Sequence, residues 1–359
     1  MSEKMKDLRH KKINLKEMIL EEITDFVLSL GEKGFRAKQI YQWVFEKRIS
    51  SIDEMHNLSK DFRELLKEKA FIGRIEKIKV LESSDGSKKY LFGLEDDRVI
   101  ESVSMPDKKG FTLCISSQIG CRFGCRFCLT GKEGFTRNLK SWEIVDQVLS
   151  IREDIEEKSQ NIAIMGMGEP LDNYDNVIRA VKQMMAKEGM NISPRRITLS
   201  TAGWIPGLKR LKKEGLNINI AVSLNATENE TRNLLMPMNR KYSLVQLLQT
   251  CREYPLAERK KITFEYVLVK DVNDSIEDAT RLAKLLGGLR CKINLIPFIP
   301  FEESPFKAPT EERILAFQNH LIKKNFTVMQ RKSRGLDIGA GCGHLRSSFV
   351  KHSLEEAKD

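Results

Sequence analysis

Residues 111–128 read FTLCISSQIGCRFGCRFC, and the alternation that begins there decides the fold. FTLCIS is a short apolar strand-like run, and SWEIVDQVLSIRED, from residue 141, has apolar residues at helical spacing. The same pairing recurs: NIAIMGMG with YDNVIRAVKQMMAKEG, RRITLSTA with IPGLKRLKKEG, NINIAVSL with YSLVQLLQTCRE, KITFEYVLV with SIEDATRLAKLLG, and KINLIPF with TEERILAFQNHLIKKN. Strands alternating with helices of about 10–15 residues imply βα units on a parallel sheet. Six such units predict an α/β fold, a partial (β/α)6 TIM-type barrel. A flat doubly wound sheet is the alternative, but no G-x-G-x-x-G follows the first strand. In a barrel the chemistry belongs at the strand C-terminal ends, which is where the Cys-rich loop, GMGEP, STAG and SLNA fall.

Upstream, the pattern is different. LKEMILEEITDFVLSL, FRAKQIYQWVFEKR and LSKDFRELLKEKA read as helices, with Ser59 as an N-cap for the last. IEKIKVLES, KKYLFGL and RVIESVSM read as strands separated by SSDG and EDD turns. The expected division is a helical accessory domain at 1–72, a β-rich extension at 73–110, the barrel with its C-terminal loop at 111–347, and a polar tail at 348–359. Phe35, Tyr41, Trp43 and Phe45 fall at helical spacing, so most are expected in that small domain's own core.

Composition bounds the rest. A chain of 359 residues, 41% hydrophobic and 31% charged, builds a real core, which excludes a disordered or fibrous chain. No run approaches the ~20 apolar residues that cross a bilayer, and the charged N-terminus lacks a signal peptide's apolar centre, so a cytoplasmic location and no membrane are expected. Lys and Arg number 61 against 50 acids, a net charge of +11, which favours a polyanionic partner such as RNA.

Of the 7 cysteines, four lie within residues 114–128, an arrangement suited to a metal or catalytic role in a reducing compartment. Cys121, Cys125 and Cys128 form C-x3-C-x2-C on a βα loop. Structural zinc wants four ligands and a [4Fe–4S] cluster normally four cysteines, so three thiols leave one iron open for another ligand. Zinc completed by a distant donor, or unliganded buried thiols, are the competing readings.

The motif resembles that of radical S-adenosylmethionine (SAM) enzymes, in which the amino acid end of SAM chelates the open iron and the sulfonium is split to a deoxyadenosyl radical. GMGEP at 166–170 is similar to their amino-group motif. SSQIGCRFGCRFCLTG, GF-x-RNL, MGMGEPLDNYDNV, SPRRITLSTAG and RKSRG-x-DI…CG-x-LR, with G-x-x-x-FRAKQIYQWVF near the N-terminus, resemble the RlmN/Cfr family of RNA adenosine methyltransferases across roughly residues 30–347. The resemblance implies a [4Fe–4S] cluster on Cys121, Cys125 and Cys128, and SAM held by Gly168, Glu169, Ser200, Ser223, Leu224, Asn225 and Asn294. It further implies Cys342 as the thiol that becomes S-methylated, Cys114 as its resolving partner, and Glu101 as proton acceptor. On the residues alone, Cys342 is a small residue in a Gly-rich turn, Cys114 a buried strand thiol, and each polar strand-end residue a candidate helix cap.

By the same resemblance the reaction methylates C2 of an adenosine in 23S rRNA and of adenosine 37 in tRNA. That carbon is too electron-poor for direct attack on the SAM methyl. The implied route is ping-pong. Cys342 takes a methyl from one SAM, and a second SAM supplies the radical that removes hydrogen from the S-methyl group. The methylene radical then adds to C2, and attack by Cys114 on Cys342 releases product and leaves a disulfide for an external donor, a flavodoxin or ferredoxin, to reduce. Arg331, Lys332, Arg334 and Arg346 would favour the Cys342 thiolate. The helical N-terminus would dock RNA, and a monomer is expected. A C8-methylating relative of the Cfr branch, or a non-catalytic zinc or Fe–S RNA-binding protein, are the alternatives. The chain departs from the family at Asn225, where His is usual, at Ile299, where Asn is usual, and at Gly341 and His344, where Ala and Gln are common.

Overall fold

The structure, a computed structural model, describes residues 12–107, 110–155, 160–302 and 304–346; the polar tail expected at 348–359 lies outside the described residues. Contacts divide the chain into two compact units.

The larger unit comprises Lys77–Asn138, Glu157–Tyr174 and Pro194–Asp359. Its ten-stranded sheet contains β1 (Glu76–Glu82), β2 (Lys88–Gly93), β3 (Val99–Asp107), β4 (Gly110–Ile115), β5 (Gln160–Ile164), β6 (Ile197–Thr201), β7 (Asn219–Ser223), β8 (Ile262–Leu268), β9 (Cys291–Pro297) and β10 (Val328–Gln330). The spatial order is β10-β9-β8-β7-β6-β5-β4-β3-β2-β1, so the sheet has two edges and does not close. The six expected barrel strands, β4 to β9, pair in parallel in that order, and β10 adds a short seventh that periodicity did not reveal. The three strands read from IEKIKVLES, KKYLFGL and RVIESVSM join the same sheet, β2 to β4 pairing antiparallel. Most residues of β5 to β7 are buried, as expected for parallel strands covered on both faces.

Three of this unit's helices begin on side-chain caps. Ser243 and Gln246 open α6 (Leu244–Arg252), Ser275 and Asp278 open α7 (Ile276–Leu286), and Thr310 opens α8 (Glu311–Lys323).

The smaller unit gathers Met1–Glu76, Leu139–Glu156 and Asp175–Ser193. Its helices are α1 (Leu20–Ser29), α2 (Phe35–Gln42), α3 (Lys60–Lys69), α4 (Ser141–Ile151) and most of α5 (Tyr174–Met185). A buried ion pair joins Lys16 to Asp146, whose other oxygen accepts the Ile75 N–H at 2.7 Å. Gln183 donates to the Lys16 carbonyl at 2.8 Å, so segments distant in sequence share one polar core. Ser59 caps α3 as expected, accepting from Phe62 N. Tyr41 and Phe45 are buried as expected, but Phe35 is 56% exposed and Trp43 half-buried, its indole donating to Asn57 Oδ1 at 2.6 Å.

Candidate functional site

The cysteine loop leaves the end of β4 and is pinned at both sides. Gln118–Gly120 and Phe135–Asn138 pair as a short antiparallel ribbon at its base. Cys121 N–H donates to the Gly134 carbonyl at 2.7 Å, and Arg126 N–H to Leu235 O at 3.0 Å. Cys125 and Phe127 pack on the apolar cluster of Leu235, Met236, Val269 and Phe298. Cys121, Cys125 and Cys128 therefore line one cavity of about 160 Å³. Burial pushes the Cys121 thiol up to about 12 and raises Cys125 and Cys128 as well, and the neighbouring sulfurs add to this. Three thiolates in such a place need a positive centre. Among the described residues, no three His, Cys, Asp or Glu side chains converge closely enough to hold a single metal ion. Three sulfurs lining one cavity supply three of the four thiolates that a [4Fe–4S] cluster takes and leave one iron open.

GMGEP forms the adjoining wall. Gly168 has φ +97°, and a β-carbon there would lie 2.5 Å from Gln118 Cβ, so only glycine lets the turn pass. Gln118 Oε1 accepts the Glu169 N–H at 2.8 Å. The Glu169 carboxylate accepts Leu171 N–H at 3.1 Å and Ala202 N–H at 2.7 Å, which ties the ends of β5 and β6 together. Burial raises Glu169 to about 7 despite these bonds. A carboxylate so placed is suited to receive an ammonium group, as the amino end of SAM would offer.

The opposite wall carries Ser200, Ser223, Glu265 and Arg331. Register sets Ser223 beside Glu265, and Ser200 Oγ donates to Glu265 Oε2 at 3.0 Å. Arg331 Nη1 lies 3.7 Å from Glu265 Oε1. Of the expected SAM residues, Gly168, Glu169, Ser200 and Ser223 come together in the cavity, whereas Leu224, Asn225 and Asn294 do not line it. Leu224 is buried, with its backbone bonded to Glu265 and Arg232. Asn225 is a joint: at φ 59°, its Oδ1 accepts Val267 N–H at 2.8 Å and its carbonyl accepts from Asn273 Nδ2 at 2.7 Å. Beyond Asn294, Ile296, Pro297, Phe298 and Ile299 line the cavity.

Cys342 lies on an exposed loop at a junction. It lines both this cavity and a second, of about 80 Å³, that also contains Cys114, Cys128, Lys332 and Arg334. Burial pushes the Cys114 thiol up to about 12, with Cys342 close enough to add to the effect. Arg331 lines both cavities, and Cys342 is the largest influence holding its guanidinium protonated. Of the four expected cations, Arg331, Lys332 and Arg334 line the second cavity with Cys342, and Arg331 lines the first as well. Glu101 lines neither cavity. Fully buried on β3, it accepts Arg346 N–H at 3.1 Å and pairs with Lys89 at 3.2 Å; burial raises its pKa.

Sequence reading missed Glu265 and Arg232. Glu265 sits mid-strand in FEYVL, where a lone acid among apolar residues is the signal available. Arg232 is fully buried, and its guanidinium donates to Leu224 O at 3.0 Å, Asn239 Oδ1 at 3.0 Å, Ala202 O at 2.8 Å and Ser223 O at 3.1 Å. It thus satisfies the carbonyls that leave β6 and β7. Nothing in the local sequence distinguishes it from a surface cation.

Comparison with known proteins agrees with this geometry. The family model described as the ribosomal RNA large subunit methyltransferase N-terminal domain matches residues 13–72, and the radical SAM superfamily model matches 115–283. A dual-specificity RNA methyltransferase RlmN from Pelobacter propionicus is 48% identical over 338 residues, covering 94% of this chain and 97% of the relative. Its namesake from Geobacter sulfurreducens is 47% identical, covering 94% and 93%. The crystal structure of a radical SAM methyltransferase from Sphaerobacter thermophilus superposes with a TM-score of 0.87 at 38% identity, over 93% of this chain and 99% of that one. Nearly half the residues held in common, along almost the whole length, is the mark of shared descent: the chain belongs to the RlmN family of radical SAM methyltransferases.

Proposed function

We propose that the chain methylates C2 of adenosine in 23S rRNA and of adenosine 37 in tRNA, with Cys342 as methyl carrier. The observation that carries this reading is the position of Cys342, shared between the cavity of the three-cysteine loop and the cavity of Cys114. When bound, a [4Fe–4S] cluster and SAM supply a carbon-centred radical able to take hydrogen from a methyl group. The chain's own residues do the rest. Cys121, Cys125 and Cys128 hold the cluster, while Glu169 and the backbone at Gly168 receive the amino end of SAM. Ser200 and Ser223 line the same cavity and would offer hydroxyls to SAM. Arg331 lines both cavities with Cys342, the sulfur that accepts the methyl, and Cys114 waits protonated until the product must be released. Glu101, bonded to the backbone of Arg346, acts on the loop that carries Cys342.

RNA is the partner, and Lys and Arg on its phosphates supply affinity while the target base leaves its stack. Residues 1–72 serve as the docking element, which agrees with the family model matched there. A flavodoxin or ferredoxin donates electrons, the protein acts as a monomer, and work on ribosomal RNA places it in the cytoplasm.

The test is anaerobic reconstitution with iron, sulfide, reductant, deuterated SAM and rRNA. Label is expected in the Cys342 peptide and at C2 of one adenosine. Label at C8 alone overturns the C2 assignment, and label in neither overturns the scheme. Cys342→Ala should retain about four irons per chain and yield no product, whereas Cys128→Ala should lose the iron itself.

A further inference from the structure

Cys342 is held from several directions. Gly343 O accepts Leu129 N–H at 2.7 Å, and Leu345 O accepts Thr130 Oγ at 2.5 Å, so the residues after Cys342 are fastened to the loop of the three cysteines. The residues flanking Cys342 meet a different segment, Ile299–Phe301, which follows β9. His344 Nε2 lies 3.5 Å from Pro300 O, and its ring stands edge-on to Phe301 at 6.0 Å. On the other flank, Gly341 is buried. A β-carbon there would lie 2.7 Å from Ile299 Cδ1, 3.3 Å from Leu336 Cδ2 and 3.5 Å from His344 Nδ1. Gly341 has an ordinary backbone conformation, so it is steric room, not a left-handed turn, that excludes a side chain. Ile299 lines the first cavity and Gly341 the second, with Cys342 in both.

We propose that Ile299 is a positioning residue for Cys342. Its terminal methyl fills the space a side chain at 341 would take, and the pair fixes where the sulfur stands between the two cavities. The inference rests on Cys342 being the methyl carrier, and it explains why residues 299, 341 and 344, far apart in the chain and each unusual in the sequence, meet at one place. If a methyl group is added at 341, either the Ile299 side chain turns into the first cavity or the loop lifts away from Cys114. Both disturb the sulfur.

Four proteins test this: wild type, Gly341→Ala, Ile299→Val and the double variant. Ile299→Val deletes Cδ1 alone. Two readouts are used, neither a measure of folding. One is the rate at which diamide couples Cys114 to Cys342; two thiols are oxidised to a disulfide, their protons and electrons passing to diamide, which becomes the hydrazine. The other is the fraction of Cys342 carrying a methyl after incubation of the reconstituted protein with SAM and reductant, read by peptide mass. Gly341→Ala is expected to slow both by about tenfold, a fraction of the roughly hundredfold that a displacement of about 1 Å can cost. Iron content and Tm should hold, and the double variant should return to within about twofold of Ile299→Val. Wild-type rates in Gly341→Ala, or a loss that Ile299→Val does not relieve, overturn the proposal. Should Gly341→Ala fail to fold, Ile299→Met, which presses on 341 from the other side, must show the same slowing, or the pairing is wrong. Absence of any methyl on wild-type Cys342, with the diamide pattern as expected, would instead refute the methyl-carrier reading and leave the pairing intact.

Discussion

At the scale of single residues, the site depends on a few buried charges with defined partners. Glu265 is held by Ser200 and Arg331, and Arg331 in turn faces Cys342. Arg331→Met leaves a buried carboxylate with one hydroxyl donor. The expected cost is roughly 3 kcal/mol in denaturant unfolding, because an uncompensated buried charge is costly. Pairing it with Glu265→Gln should recover most of that loss; an additive double variant would show that the two do not act together. The cysteines were legible in the sequence because their spacing is chemically improbable otherwise. Ser200, Ser223, Leu224, Asn225 and Asn294 came from the family resemblance, and of these Ser200 and Ser223 line the cavity. Strand-end position alone does not say which way a side chain faces once β-strand geometry yields to a loop.

At the scale of elements, the strands β1 to β3 have a purpose that their sequence did not disclose. Their turn and their edges grip the segment leading to Cys342 and just past it. Asp85 accepts Gly335 N–H at 3.0 Å, and Asp337 accepts Ser83 Oγ at 2.6 Å and Ser84 N–H at 3.0 Å. Further along, Lys89 donates to Gly339 O at 3.5 Å, and Glu101 accepts Arg346 N–H. Desolvation would raise Asp85, but the Gly335, Ser87 and Ser83 donors outweigh it and hold the carboxyl at about 2, below its ordinary 3.8. A depressed carboxyl contributes stability above its ordinary pKa and loses it as pH falls toward the folded value. The clamp should therefore be constant from neutral pH down to about 4 and weaken between about 4 and 2. Hydrogen exchange of residues 335–345 checks this: Asp85→Asn should speed exchange at pH 7, and the gap to wild type should shrink in acid. Equal exchange at pH 7 would show that the clamp holds nothing. These contacts were unreadable beforehand because they join residues about 250 positions apart through turns whose chemistry looks generic.

At the scale of the whole molecule, the alternation of strand and helix made the barrel legible, since burial of both sheet faces leaves continuous apolar runs. The helices of the accessory region were legible for the same reason of period. Less legible was the share each segment takes in the two units: Leu139–Glu156 and Asp175–Ser193 read as barrel helices but cluster with the N-terminal segment. Contact partners, unlike periodicity, are not written locally. The net charge of +11 also acts at this scale. RNA binding measured by fluorescence anisotropy should weaken at least about tenfold between roughly 50 and 200 mM salt, as counterions return to the phosphates. A flat salt profile would mean that the surplus charge is not used on the backbone. Of the seven cysteine thiols in the chain, Cys342 alone is exposed, the others being buried or half-buried. A small thiol-selective electrophile in solution therefore meets one exposed thiol, which lines both cavities and makes this protein open to site-selective tagging.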